Sequence, residues 1–370
     1  MKKLILPFIS LLLLCGCWNY SDTNHRLIVT GAAIDLGENG ETWVTAEIMS
    51  FQKGGETGAQ SHLLTGVGRS VSEAFNDMLK KSGKELYWRH ATVLILGAEY
   101  ARNGVAELFD YILNDHEMRM TLDFAVSGLE KGADVFSLGA GDRNIISYAI
   151  TSRIYEGEKL GNCVRELAYE AIDTYAKNMQ DFAMPMILAG EKDMLEVSGC
   201  AVFRGQEMAG TINALESQYL HMLDNTLEAI ELQIGTQEMK SSVSFGNIDS
   251  KVKMKRDGKT LLAQISLSAD YEILMSVENP PMERQARLEK IQEISMLQLE
   301  NGIRKTNQHL ALMHCDLFGW GERVFRYDPD GYEALCNGET FETVPEIEIS
   351  IQLRSKVEGI AGTTVDQEGG

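Results

Sequence analysis

The residue best placed to do chemistry in this 370-residue chain is a thiol near its start. Cys17 closes the run Leu14-Cys15-Gly16-Cys17, which resembles a bacterial lipobox: an aliphatic residue, a short spacer, a small residue, then cysteine. A thiolate is the nucleophile that carries the thioether of such an anchor, and a small residue before it lets a peptidase approach. Ahead of it, Lys2 and Lys3 form a short positive stretch and Ile5 to Leu14 is apolar. That run falls short of the roughly 20 residues needed to cross a bilayer and has the length of a signal-peptide core. Residues 1–16 are therefore read as a lipoprotein signal peptide and Cys17 as the lipidated first residue of the mature chain. An ordinary signal with two incidental cysteines is the alternative. Each buried CH₂ contributes about 0.8 kcal/mol, so two or three acyl chains of the palmitate kind make a stable anchor where one does not.

Other chemistry-bearing residues are weaker. His309, His314, Cys315 and Asp316 are all metal-ligating types, but their spacing matches no common zinc pattern, and zinc needs three or four convergent ligands. "DHEMR" sets His116 beside Glu117 without a second histidine at i+4. "DPDGYE" (Asp328 to Glu333) hints at a calcium turn but lacks the later ligands of an EF-hand loop. "GVGRS" (Gly66 to Ser70) precedes a helix and offers N–H groups to an anion, yet it has neither the Lys nor the third Gly, and letting Ser70 cap the helix is the simpler job. Tyr87, Trp88, Arg89 and His90 are either an interface cluster or a lock that holds a loop to a sheet. No G-x-S-x-G, H-E-x-x-H, phosphate-binding P-loop or strand-linked G-x-G-x-x-G occurs. The chain reads as no enzyme, with no cofactor or metal.

Composition narrows the partners. Against 34 Lys+Arg stand 54 Asp+Glu, a net charge of −20, which disfavours nucleic acid and electrostatic adhesion to anionic lipid. Hydrophobic residues make up 44%, enough for a real core. No stretch beyond the leader has the length of a transmembrane helix. Of six cysteines, Cys163, Cys200, Cys315 and Cys336 lie outside the leader region, with no C-x-x-C pair. They are expected as buried reduced thiols, although a pairing of Cys200 or Cys315 is not readable from spacing.

The elements that must position these residues alternate in type. Leu27 to Asp35 and Thr42 to Phe51 read as a hairpin about "GENG", and Gln52 to His62 as a mobile Gly-rich loop. Ser70 and Glu73 form a capping box for a helix closed by Gly83. Ala91–Gly97 and Met120–Gly128 read as strands around a helix at Gly104–Asp115. A long amphipathic helix is expected over Leu160–Met179, with Val164, Leu167, Ala168, Ala171, Ile172 and Tyr175 on one face, and then a strand at Met184–Gly190. Val197–Ile212 reads as two strands about Gly205, and Asn213 with Glu216 opens a helix ending near Asn225. Strands follow, with a turn at Arg256-Asp257-Gly258. After Pro280-Pro281 the longest helix runs from Met282 to about Leu310, with Leu288, Ile291, Met296, Leu299, Ile303 and Leu310 in one arc. Glu346–Val357 alternates with period two, a half-buried strand. The expected fold is α+β: mixed β-sheets flanked by helices, in three consecutive domains after the signal peptide. The expected divisions are 17–194 (N-terminal α/β domain), 195–262 (middle domain) and 263–358 (C-terminal domain with the long helix), with 359–370 a disordered tail.

Several stretches, in order, resemble the Ger(x)C family, the C-subunit lipoproteins of spore germinant receptors. "CWNYSDTNHRLIVTGAAID" (Cys17 to Asp35) is similar to the family's opening after the lipobox. "GRSVSEAF", "LYWRHATVLILGAEYARNGVAELFDYILND" and "EMRM" are similar to its middle segment, "SGCAVFRGQEMAGTINALES" to a later one, and "DLFGWGERVFRYDPDGYEAL" (Asp316 to Leu335) to its late Asp-x-Phe-Gly-x-Gly block. Asp22 and Asn337-Gly338 depart from the usual residues, a matter of subtype. The resemblance implies a non-catalytic ectodomain of three domains, anchored through Cys17 to the outer face of the inner membrane of the spore. It also implies assembly with the receptor's two integral membrane subunits, A and B, into a sensor of nutrient germinants. An extracytoplasmic solute-binding lipoprotein is the alternative.

Overall fold

The computed structural model describes residues 26–51, 59–115, 117–141, 144–177, 181–227, 229–235, 239–258, 260–278, 283–337, 340–341 and 343–356. Cys17, His116, the Pro280-Pro281 pair and the tail at 359–370 lie outside the described residues.

Among these, strands form three sheets. The first contains β1 (Arg26–Leu36), β2 (Thr42–Phe51), β3 (Ala59–Gly68), β4 (Glu85–Tyr87), β5 (Val93–Leu96), β6 (Asp123–Ser127), β7 (Glu166–Leu167), β8 (Phe182–Ala189), β9 (Leu195–Arg204) and β10 (Glu207–Ile212). Its order is β10-β9-β8-β6-β5-β1-β2-β3, with β4 beside β1 and β7 beside β6. The centre is parallel and both flanks are antiparallel hairpins. Central strands are buried on both faces, as parallel strands must be. Ala32, Ile34, Leu94, Leu96, Phe124 and Val126 face one hydrophobic core, while Ala33, Val93, Ile95 and Ala125 face the other.

Helices α1 (Val71–Ser82), α2 (Ala98–Asn103), α3 (Ala106–Asn114) and α5 (Ala168–Lys177) cover the first face, and α4 (Ile146–Lys159) covers the second with α6 (Ala214–Asp224). α1 begins where its sequence says: Ser70 accepts from the Glu73 N–H at 3.1 Å, and Gly83 at φ 61° closes it. Gly66 and Gly68 let α1 lie on β3, since a Cβ at Gly66 would stand 2.1 Å from the Ala74 carbonyl. The capping box of Asn213 and Glu216 forms in full at α6, closed by Asn225 in the left-handed region.

The second sheet, β11 (Ala229–Gly235), β12 (Met239–Asp257), β13 (Thr260–Glu278) and β16 (Glu346–Ser355), is antiparallel except for the parallel pairing of β13 with β16. It packs on α7 (Arg284–Leu312) through Ile291, Leu299, Ile303 and Leu310. α6 and α7 cross closely at Gly302, where a Cβ would meet the Tyr219 ring at 2.1 Å. α8 (Trp320–Tyr327), α9 (Pro329–Leu335) and the small pair β14 (Cys336–Asn337) and β15 (Thr340–Phe341) complete the described chain.

Two features differ from the expectations. β3 starts at Ala59, inside the stretch expected as loop, because it pairs residue by residue with β2. The helix expected over 160–179 is instead α4, ending at Lys159, and α5, starting at Ala168. Gly161 at φ 72° turns the chain, and Glu166-Leu167 pair as β7 with β6. Val164 and Leu167 are therefore not helical. The helix α4 itself, without a side-chain cap on its own N-terminal neighbour, carries no local start signal. Around the expected divisions, β9 pairs with β8 across 194/195, and 262/263 lies within β13.

Candidate functional site

A cleft of about 300 Å³ lies where α4, β7, α5, the start of β8 and α6 meet. Its chemistry comes from carboxylates. Asp123 at the start of β6 is buried and receives Arg165 Nε at 2.6 Å. Burial pushes the Asp123 carboxyl up against the pull of that guanidinium. The ion pair and the backbone bridge of β7 to β6 fix Glu166, whose side chain lines the cleft while the residue is only 8% exposed. Glu170, in the first turn of α5, accepts from the Leu167 N–H at 3.1 Å and the Tyr169 hydroxyl at 2.7 Å. Asp181, just before β8, accepts from the N–H groups of Asp316 at 2.7 Å and Gly205 at 3.4 Å. Asp224 at the end of α6 pairs with Arg323 at 2.9 Å. Burial pushes the carboxyls of Glu158, Asp181 and Asp224 above the usual range. For Glu166, burial and then the neighbouring Glu170 push it well above.

His221 also lines this cleft, and burial holds it below its ordinary value. Nε2 faces the Cys163 carbonyl at 2.9 Å, and Nδ1 faces the Thr226 hydroxyl at 2.6 Å. A carbonyl only accepts, so Nε2 carries the proton and the ring is a neutral structural bridge. Phe182, Leu220 and Leu317 supply apolar wall.

The residues singled out in the sequence are mostly structural. Trp88 is buried and meets Phe75 edge-on at 4.9 Å, and Arg26 lies 5.2 Å from the Tyr87 ring centre. This segment locks β4 to α1, leaving Arg89 and His90 exposed. His309 contacts Glu216 at 2.7 Å. Asp316 is half-buried and caps α8 through the N–H groups of Trp320 at 2.8 Å and Gly321 at 2.7 Å. Burial pushes its carboxyl up to about 6 against those bonds. Asp328 caps α9 and pairs with Arg256 at 2.9 Å. Among the described residues no three His, Cys, Asp or Glu side chains converge to hold a metal, and Cys163, Cys200, Cys315 and Cys336 are free thiols. Burial pushes the Cys200 thiol up to about 11 and Cys315 up to about 12. Glu47 escaped the sequence reading. It lies on β2, is 1% exposed, and accepts from the N–H groups of Ile146 and Ser147 at 2.8 and 2.9 Å, from Ser147 Oγ at 2.6 Å and from Thr30 Oγ1 at 2.9 Å. It supplies the cap that α4 lacks locally, a hundred residues away in the chain.

Two families match in tandem: the spore germination protein N-terminal domain over residues 19–189, and the spore germination B3/GerAC-like C-terminal domain over residues 198–361. The chain is 20% identical to spore germination protein KC of Bacillus subtilis (strain 168), over 95% of this chain and 94% of that protein. It is 21% identical to spore germination protein B3 of the same organism, over 88% and 96%. The crystal structure of the GerBC protein shares the fold, with a TM-score of 0.59 and 16% identity over 88% of this chain and 97% of that one.

Proposed function

We propose a role from one premise: this chain belongs to the Ger(x)C family of spore germination proteins. It is the C subunit of a nutrient germinant receptor, a non-catalytic body moored through lipidated Cys17 to the outer face of the spore's inner membrane. There it assembles with integral A and B membrane subunits and is required for germination. The observation that carries this reading is the tandem family match, which begins at residue 19, two residues after the lipobox cysteine, and continues to residue 361. Among the described residues no helix is long and apolar enough to cross a membrane. A lipid-tethered protein also meets membrane partners at raised effective concentration.

The alternative, a solute-binding lipoprotein, favours two similar α/β lobes about a ligand cleft. Here one sheet has ten strands with a parallel centre and the other four long strands, so the two parts are unlike.

Replacing the thiol tests the proposal. Cys17→Ala is expected to shift the protein out of the spore membrane fraction, abolish incorporation of labelled palmitate and abolish nutrient-triggered germination. The circular dichroism of the purified chain should stay unchanged. Normal germination by spores carrying only Cys17→Ala would overturn the reading.

A further inference from the structure

β16 ends the second sheet, and among the described residues no strand pairs with its outer side. Such an edge is a template for another strand, and proteins blunt it with proline, lysine, bulges or short length. β16 has none of these. It runs for ten residues in unbroken register with β13 and contains no Pro, Gly or Lys. Ile347, Ile349, Ile351 and Leu353 alternate along it.

Two side chains of α7 guard the ends of this edge. Arg304 Nη1 donates to the Ile347 carbonyl, and Gln292 Nε2 to the Leu353 carbonyl at 3.1 Å. Successive residues of a strand turn their backbone groups to opposite sides. Ile349 and Ile351, between the two clamps, therefore present theirs on the same side as those carbonyls. Beside them lies a groove of about 440 Å³, walled by Met296 and Leu297 of α7. Leu297, a large apolar side chain, is 53% exposed there.

Charge selects the occupant. β16 carries Glu346 and Glu348 at one end and Arg354, with Lys356 just beyond, at the other, and all four are exposed. Arg354 also holds Asp270 at 3.0 Å. An antiparallel strand of the same sequence sets each acidic end beside a basic end and apolar residues beside apolar ones, the pairs that stabilise a sheet. A twofold axis through Ser350 does this, with Glu346 opposite Arg354 and Ile349 opposite Ile351. Leu297 lies between Gln292 and Arg304 in sequence, so the same axis brings the two exposed leucines together. The end of the chain itself, residues 357–370, holds Glu358, Asp366 and Glu368 and no Lys or Arg, a poor match for a groove that Glu293 and Glu300 also line. We propose that β16 is a self-association edge: two copies of this chain pair antiparallel through it, joining their four-stranded sheets into one continuous sheet with Leu297 of both copies over the seam. The interface is isologous, the same patch meeting itself.

The test uses the full chain in neutral detergent. The net charge of −20 opposes the meeting of two copies, so physiological salt is used, where the screening length is about 8 Å. In an antiparallel ladder, facing residues of a pair without backbone hydrogen bonds have Cα atoms about 4.5 Å apart, within disulfide reach. Mild oxidation of Ser350→Cys is therefore expected to give a dimer on a non-reducing gel, reversed by a thiol. Lys253→Cys, exposed on β12 two strands from the edge, is expected to give none, as is the parent chain. Ser350→Lys adds a like charge at the axis on an exposed position and is expected to weaken association roughly tenfold in sedimentation. Glu346→Arg and Arg354→Glu chains are each expected to associate more weakly alone and to recover when mixed, because the mixture restores opposite charges at both ends. Absence of the Ser350→Cys dimer, an equal Lys253→Cys dimer, sedimentation unchanged by Ser350→Lys, or no recovery on mixing would overturn the proposal. So would a Ser350→Cys product with a protein of another size, or a dimer seen only after residues 357–370 are deleted. The first marks a different partner strand, and the second marks the chain's own end as the occupant. Pairing through β16 does not depend on the anchor, so this test and that of Cys17→Ala fail separately.

Discussion

Glu47 and Glu166 are both glutamates buried against the same large sheet, and they stand in opposite situations. Glu47 has four donors, two of them the first free N–H groups of α4, so its charge meets the positive end of a helix. A bulge in β1 at Thr30 and the missing side chain of Gly31, where a Cβ would be 2.4 Å from Ser147 Oγ, allow that approach. Glu166 has a like-charged neighbour, Glu170. The first arrangement stabilises a fold. The second costs stability wherever the carboxyl is ionised.

Mutation separates the two. The largest effect is expected from Glu47→Ala, which strands four buried donors: a loss of about 3–5 kcal/mol in urea unfolding. Glu47→Gln, which keeps one carbonyl acceptor, should fall between that variant and the parent. A loss below about 1 kcal/mol for the alanine variant would sink the capping account.

Glu166→Gln should do the reverse. A carboxyl raised in the folded state contributes stability that is complete below the ordinary carboxylate range and is lost as pH rises through its raised value. Glu158, Asp181, Asp224 and Asp316 share that direction, Asp316 passing through about 6. The parent chain should therefore gain urea stability when pH falls from about 7 to about 5, and Glu166→Gln should exceed the parent by about 1 kcal/mol near neutrality. That advantage should shrink toward about pH 4, where both side chains are neutral. An advantage that does not change with pH would mean that Glu166 is not the buried acid described.

The smallest change probes a cap of the ordinary, local kind. Ser70→Ala removes the single bond from the Glu73 N–H and should cost about 1 kcal/mol, with Ser70→Asp restoring it. If Ser70→Ala matched Glu47→Ala in effect, the distinction between a surface cap and a buried one would fail.

Much of the local structure was legible because its causes lie within a few residues. Ser70 with Glu73, Asn213 with Glu216 and the left-handed Gly83, Gly205 and Gly258 bond or turn within a single helical turn or hairpin. The alternation of β16 and the buried arc of α7 follow from periodicity. The segment 160–179 was misread as helix because its apolar spacing suits one. What breaks it is pairing of β7 with β6 and the Arg165–Asp123 bridge, contacts some forty residues apart.

By itself, then, the sequence determined the lipobox-like run that ends at Cys17, the family-like order of motifs, the acidic charge and the local starts and stops of helices. Only the tertiary structure decided which acids are satisfied. Hydrogen-bond partners for a buried carboxylate come from wherever the fold brings a donor, as Ser147 comes to Glu47 and Arg165 to Asp123, and no spacing along the chain encodes that meeting.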